Sequence, residues 1–238
     1  MTRSHPATNS TRFTLGVVAG AWLAAYVVAV PIQGVIIGLG GYGGEPSDTW
    51  PTGITALSAL SLWACFMVAA VVVSRRFGSG RFAEDFRLTF RVRDLVGLPI
   101  GAACQVLLIP AVYWPLQRVW SETFRTEELS ERAQDLWDRA DGMWLVVLVA
   151  VVAVGAPVVE EIIYRGMIQQ ALQSRLDDVL AVVLSALFFA LIHLQPVEVP
   201  GLFVFGLVAG ACFMRTGRLG ISIMVHVAFN ATGLLLVA

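Results

Sequence analysis

Ionisable and amide side chains interrupt apolar segments at three places in the second half of the chain. The first is the run Glu160-Glu161-Ile162-Ile163-Tyr164-Arg165-Gly166, the second runs from Phe189 to His193, and the third from His226 to Asn230. A carboxylate at the centre of a membrane-spanning helix costs about 2.5–3.5 kcal/mol on insertion scales. Such groups must therefore be paired, hydrated or near the membrane surface.

The two adjacent glutamates are predicted to have different roles. Glu161 and Arg165 are four residues apart and share one face of a helix, so they can form an ion pair. Neighbouring residues on a helix point about 100° apart, which leaves Glu160 without this partner. Glu160 is therefore the candidate for a reactive carboxylate. The alternative is that the helix leaves the membrane here and both glutamates are in water.

Two histidines stand in apolar segments, and helix geometry relates them to the glutamates. An antiparallel hairpin that turns near residues 176–178 would place Glu160 and His193 at similar depth, since each lies about 16 residues from the turn. His226 lies only about seven residues from the loop at 218–219. All three can meet only if the hairpin projects past the membrane surface, which predicts a site near the cytoplasmic ends of the helices.

A glutamate, two histidines and an asparagine can together activate water. In a low dielectric Glu160 can act as a general base with His193 beside it, while His226 and Asn230 can donate to a developing oxyanion. Alternatively, Glu160, His193 and His226 can be ligands of Zn²⁺ with water in the open position. The residues alone leave both mechanisms open, although the HExxH sequence of zincins is absent.

The segments that carry these residues have the composition of membrane-spanning helices. Apolar residues make up 57% of the chain and charged residues 14%, whereas about a quarter of the residues of a soluble domain are charged. A span needs about 20 mostly apolar residues, and we predict an all-α, polytopic transmembrane bundle of about seven spans. The apolar segments are 15–39, 54–73, 95–116, 142–159, 179–194, 201–214 and 220–238. The short segment 201–214 could instead be a re-entrant helix.

The chain is predicted to have two parts. Residues 1–141 hold the N-terminal spans and an external amphipathic segment, and residues 142–238 hold the helices with the polar motifs. In the connecting segment, 118–141, arginines recur every seven residues. This pattern indicates a helix lying on the bilayer, or else a lid or substrate-docking element.

The distribution of arginine predicts a multi-pass protein of the cell membrane with a cytoplasmic N-terminus. Arg3 and Arg12 precede the first apolar segment, six arginines follow the second between residues 75 and 93, and Arg215 and Arg218 precede the last. Cytoplasmic loops are enriched in such residues. The four arginines of segment 118–141 argue in part against this orientation.

The three motifs, read as EExxxRG, FxxxH and HxxxN, resemble the signature of the CPBP family. This family includes type II CAAX prenyl endopeptidases and bacterial Abi and lysostaphin-resistance proteins. The sequence Arg215-Thr216-Gly217-Arg218-Leu219 is also similar to the family pattern. The resemblance covers residues 142–238, and no motif residue departs from it.

The resemblance implies a role for each motif residue. Glu160 and His193 would activate the water, His226 and Asn230 would steady the oxyanion, and the Glu161–Arg165 pair would organise the site. The implied function is intramembrane hydrolysis of a peptide bond.

The expected partners are membrane lipids and a peptide or membrane-protein substrate, with no nucleic acid. Two alternatives from other classes are an ion or solute transporter, and a non-enzymatic scaffold or immunity protein. A transporter should show paired, interrupted helices in two related halves, and the sequence shows none. A scaffold should have lost a motif residue, and none is missing.

Overall fold

The protein is an all-α, multi-pass membrane protein. The computed structural model describes residues 13–238, except the side chains of residues 126–129 and 132, so Arg3 and Arg12 lie outside the described residues. Within that range there is no β-strand. Five helices are long and apolar enough to cross a membrane, namely α1 (Leu15–Leu39), α2 (Thr52–Phe77), α3 (Val92–Val119), α5 (Met143–Gln173) and α7 (Val199–Thr216).

Three further helices of more than ten residues lie in the described part of the chain: α4 (Thr126–Asp138), α6 (Asp178–Leu191) and α8 (Leu219–Leu235). The last two are apolar but shorter than the five long helices. The all-α prediction is therefore confirmed, and of the seven or so predicted spans five reach membrane-spanning length in the described part of the chain. The predicted re-entrant segment belongs to α7, which has 18 residues.

Helix α5 departs most from the sequence prediction. The fourth apolar segment ends at Val159, yet the helix continues to Gln173 and has 31 residues. Glu160 therefore lies inside a long helix and not at its end. The backbone widens into π-helical turns at Ala150–Gly155 and Glu161–Gln169. Such turns are rare and are frequent at functional sites.

The hairpin between α5 and α6 forms where the sequence predicts it. Asp177 caps α6, because its side chain accepts hydrogen bonds from the backbone N–H groups of Val179 and Leu180. Further along, the hydroxyl of Ser185 donates to the carbonyl oxygen of Tyr164 at 3.0 Å. This buried bond sets the register of the two helices.

The hairpin of α5 and α6 projects beyond the start of α8. This projection is required for Glu160, His193 and His226 to lie at the same depth. Gly166 is level with Leu219, since a Cβ atom at Gly166 would lie 3.3 Å from the Leu219 side chain. From that level α5 continues to Gln173, which is about 10 Å of helix. The α2–α3 connection closes around this end, where Gln170 donates to Asp85 O at 3.3 Å and the Leu219 N–H donates to Arg87 O at 3.0 Å.

The α2–α3 connection is held by contacts of a partly buried acid. Asp85 accepts hydrogen bonds from the hydroxyl of Ser74 at 2.6 Å and from the backbone and hydroxyl of Ser79. Burial opposes ionisation of this carboxyl group, but the hydrogen bonds outweigh it and hold the pKa of Asp85 below its ordinary value.

Close backbone contact fixes α8, the helix that carries His226. A Cβ atom at Gly101 of α3 would collide with the carbonyl oxygen of Val225 and lie 2.9 Å from Ala228 Cβ. One turn earlier, a Cβ atom at Gly97 would lie 2.7 Å from Ile221 O. Only glycine permits this approach, so α3 and α8 pack with their backbones almost in contact.

Candidate active site

The predicted ion pair of α5 is present and lies inside the protein. Arg165 Nη1 is 3.2 Å from Glu161 Oε1, and both side chains have no solvent exposure. Arg165 Nη2 also donates to the carbonyl oxygen of Gly206 at 3.2 Å. Since Glu161 is fully buried, the alternative that both glutamates are in water does not hold for it. A buried carboxylate needs such a partner.

His226 lies between the two glutamates. Its Nδ1 atom is 3.0 Å from Glu161 Oε1, and its Nε2 atom is 3.8 Å from Glu160 Oε2. The first distance is a hydrogen bond, whereas the second is too long for one. The side chain of Glu160 is 22% exposed and that of His226 is 4% exposed. Glu160 is therefore the more accessible carboxylate of the pair.

The carboxylate of Glu161 determines how the ring of His226 is protonated. An ionised carboxylate can only accept, so Nδ1 carries the proton of the bond to Glu161. The Nε2 atom then faces Glu160 and the accessible side of the site. This is the arrangement in which a second residue orients a histidine that acts on substrate.

Asn230 supplies a hydrogen bond that the backbone of α5 cannot make at Pro157. In the π-helical turn Ala150–Gly155 the N–H of residue i+5 serves the carbonyl oxygen of residue i, but the residue five after Val152 is Pro157, which has no N–H. The side-chain N–H of Asn230 donates to Val152 O at 2.8 Å instead. An asparagine amide has two N–H bonds, so one donor remains.

His193 is held by the backbone just beyond the end of α6. Its Nδ1 atom is 2.7 Å from the carbonyl oxygen of Phe189. A carbonyl oxygen only accepts, so Nδ1 is the protonated nitrogen, and in the neutral ring Nε2 is the acceptor. His193 is partly exposed, and its Nε2 atom is thus a candidate acceptor of a proton.

The ring of Phe189 joins the three motifs. Its centroid lies 4.8 Å from that of His193 and 5.9 Å from that of His226. The guanidinium carbon of Arg165 lies 4.7 Å from the same centroid. Phe189 is fully buried, so residues from α5, α8 and the end of α6 are packed around one rigid side chain.

Comparison with known families agrees with this arrangement. Residues 142–232 match a family described as type II CAAX prenyl endopeptidase Rce1-like. This match supports the resemblance of residues 142–232 to the CAAX protease family. Neither a curated protein nor a solved structure matches the chain. All six predicted site residues fall inside the CAAX-protease segment, and the first four described helices precede it.

Buried contacts between α5 and α7, which the sequence analysis did not predict, also support the site. Gln169 is fully buried and donates to the carbonyl oxygen of Gly210 at 3.0 Å. It repeats, one turn later, the contact that Arg165 makes with Gly206. Two polar residues four apart on α5 thus face two glycines four apart on α7. The next residue of α5, Gln170, is also buried.

A zinc site receives no support from this geometry. The described residues contain no group of three His, Cys, Asp or Glu side chains placed to hold a metal ion. The set Glu160, His193 and His226 stays a prediction.

Proposed function

We propose that the protein is an intramembrane endopeptidase that hydrolyses a peptide bond with water activated by Glu160 and His193. The observation that carries the proposal is the position of His226. It is bonded to the buried Glu161 and faces the more exposed Glu160. Resemblance to a protease family supports hydrolysis as the reaction class.

In this proposal Glu160 is the general base. Its carboxylate takes a proton from water, and the water oxygen attacks the carbonyl carbon of the substrate peptide bond. His193 accepts a hydrogen bond from the same water through Nε2. Glu160 then returns the proton to the leaving nitrogen, the C–N bond breaks, and the products are a carboxylic acid and an amine.

His226 and Asn230 donate to the oxyanion that forms during the attack. His226 requires the imidazolium form for this, with one N–H directed to Glu161 and the other to the oxyanion. Asn230 uses the N–H that is not bonded to Val152. Arg165 balances the charge of Glu161, so the imidazolium and the Glu160 carboxylate form the remaining charge pair.

We further propose that the two short helices α6 and α8 also span the membrane, giving seven spans in the cell membrane with a cytoplasmic N-terminus. The loops rich in arginine, 75–93 and 215–218, then share the cytoplasmic side. The substrate is a peptide or membrane protein that reaches the site among membrane lipids. Removal of a prenylated C-terminal tripeptide is not assigned, because many bacterial members of the CPBP family have no prenylated substrate.

The proposal is tested with the full-length protein in proteoliposomes and a library of membrane peptides in H₂¹⁸O. Hydrolysis places one ¹⁸O in the new C-terminal carboxyl group, which mass spectrometry detects together with the cleavage position. We expect Glu160→Gln to remove this product, since the amide has the same shape but cannot accept the proton. Glu45→Gln, which changes an exposed glutamate of the first external loop, is the matched control.

Each outcome separates the candidates. Product from wild type and Glu45→Gln but not from Glu160→Gln supports the protease. Equal product from Glu160→Gln refutes the site. The absence of product from every protein favours the scaffold or transporter. A strong zinc chelator that stops wild-type cleavage, with recovery on adding zinc, replaces the metal-free mechanism with the zinc mechanism.

A further inference from the structure

Four arginines from two distant parts of the chain line one cavity, which we call the arginine cavity. Its volume is about 820 Å³, and its lining residues come from 89–96 and 215–221. The arginines are Arg91, Arg93, Arg215 and Arg218. Asp94 is the one acid among these lining residues, so the lining has a net charge of +3.

Asp94 and Arg218 form the frame of the arginine cavity. Asp94 is fully buried, and it accepts hydrogen bonds from the Arg91 backbone N–H at 2.7 Å and from Arg218 Nε at 3.1 Å. Arg218 Nη2 lies 2.5 Å from the other carboxylate oxygen. This bidentate contact raises the pKa of Arg218. Arg218 thereby neutralises the charge of Asp94.

The other three arginines are in excess over the acid. Arg91, Arg93 and Arg215 are exposed. Among the described residues none of them forms an ion pair. Arg93 is close enough to Asp94 to interact with its charge, but Arg218 already neutralises that carboxylate. The cavity therefore presents a surplus of guanidinium groups.

The position of the arginine cavity indicates which anion it fits. It lies where α3 and α8 begin and α7 ends, at the boundary between apolar helices and polar loops. In a bilayer this boundary holds the phosphates of the lipid headgroups. Guanidinium groups bind phosphate oxygens in pairs, and basic pockets between helices bind acidic headgroups.

We propose that the arginine cavity binds a phosphate-bearing anion, which in the membrane is the headgroup of an anionic phospholipid. The proposal does not depend on peptide hydrolysis, so the two can fail separately. Arginines at the cytoplasmic ends of helices also orient membrane proteins. A function in topology alone would not require two distant segments of the chain to surround a single cavity.

The test uses the purified full-length protein in a neutral detergent, where no charged bilayer contributes. Native mass spectrometry measures retention of phosphatidylglycerol against phosphatidylcholine. We expect the wild type to prefer phosphatidylglycerol and the variant Arg91→Gln/Arg93→Gln/Arg215→Gln to lose this preference by about tenfold or more. The matched control, Arg75→Gln/Arg76→Gln/Arg175→Gln, removes three exposed arginines outside the cavity and should keep it.

A second measurement does not require a variant that folds. Phosphatidylglycerol should protect Arg91, Arg93 and Arg215 of the wild type from phenylglyoxal, while Arg75 stays reactive. The proposal is overturned if the wild type shows neither preference nor protection, or if the control loses as much as the cavity variant. Displacement of the lipid by inorganic phosphate, but not by chloride at equal ionic strength, would identify a general phosphate site. Retention would identify a lipid site.

Discussion

Replacing Arg165 with methionine tests whether the Glu161–Arg165 pair is the structural basis of the site. The two charged atoms are 3.2 Å apart, and neither side chain has any exposure. At an effective dielectric constant of about 20 the Coulomb attraction over that distance is about 5 kcal/mol. Removing one partner of a buried pair costs about 3–5 kcal/mol, because the other charge stays buried without compensation. We expect Arg165→Met to lower the free energy of unfolding by about 3–5 kcal/mol.

Unfolding in mixed micelles, followed by circular dichroism, gives the free energy for wild type, Arg165→Met, Glu161→Gln and the double variant. The double variant should lose about as much free energy of unfolding as either single variant, and not the sum of the two losses, because it leaves no isolated charge. Arg175→Met, at an exposed arginine of the hairpin, should cost less than about 0.5 kcal/mol. Additive costs in the double variant, or an Arg165→Met loss as small as that of Arg175→Met, would refute the reasoning.

Three other changes test the packing around the site. Gly101→Ala should destabilise the protein by about 1–3 kcal/mol, because its Cβ would collide with the Val225 backbone, whereas Gly34→Ala meets no atom within 4 Å and should be neutral or stabilising in the same unfolding assay. Asn230→Ala leaves the partly buried carbonyl oxygen of Val152 without its side-chain donor and should lower the free energy of unfolding by about 1 kcal/mol as well as reduce activity; an unchanged free energy of unfolding would contradict the assigned contact. Asp85 has a lowered pKa, so its contribution to stability is complete above its ordinary value and decreases as pH falls through the lowered one. The protection factors of the α2–α3 connection, which correct hydrogen exchange for its intrinsic dependence on pH, should therefore fall in wild type below about pH 4 and stay constant in that range in Asp85→Asn.

The local features of this protein were predictable from its sequence. Apolar run length indicates the helices, since each span must satisfy its own backbone hydrogen bonds. The pair Glu161 and Arg165 follows from a spacing of four residues, and Asp177 is a typical N-cap residue before an apolar run. The three motifs identify the CAAX-protease segment because their side chains are unusual inside a membrane. Each of these inferences uses neighbours within a few residues along the chain.

The contacts between helices required the tertiary structure. His226 and Glu161 are 65 residues apart in the chain, and their bond depends on how each helix is rotated about its axis. The π-helical turns of α5 change that rotation, and the regular helical period does not predict them. The same turns explain why Val152 needs Asn230. Likewise, the arginine cavity forms only because the loops at 89–96 and 215–218 pack together, where Gly220 lets Asp94 approach the start of α8. The sequence by itself determined which residues are polar within the membrane, and the packing of helix on helix decided which of them meet.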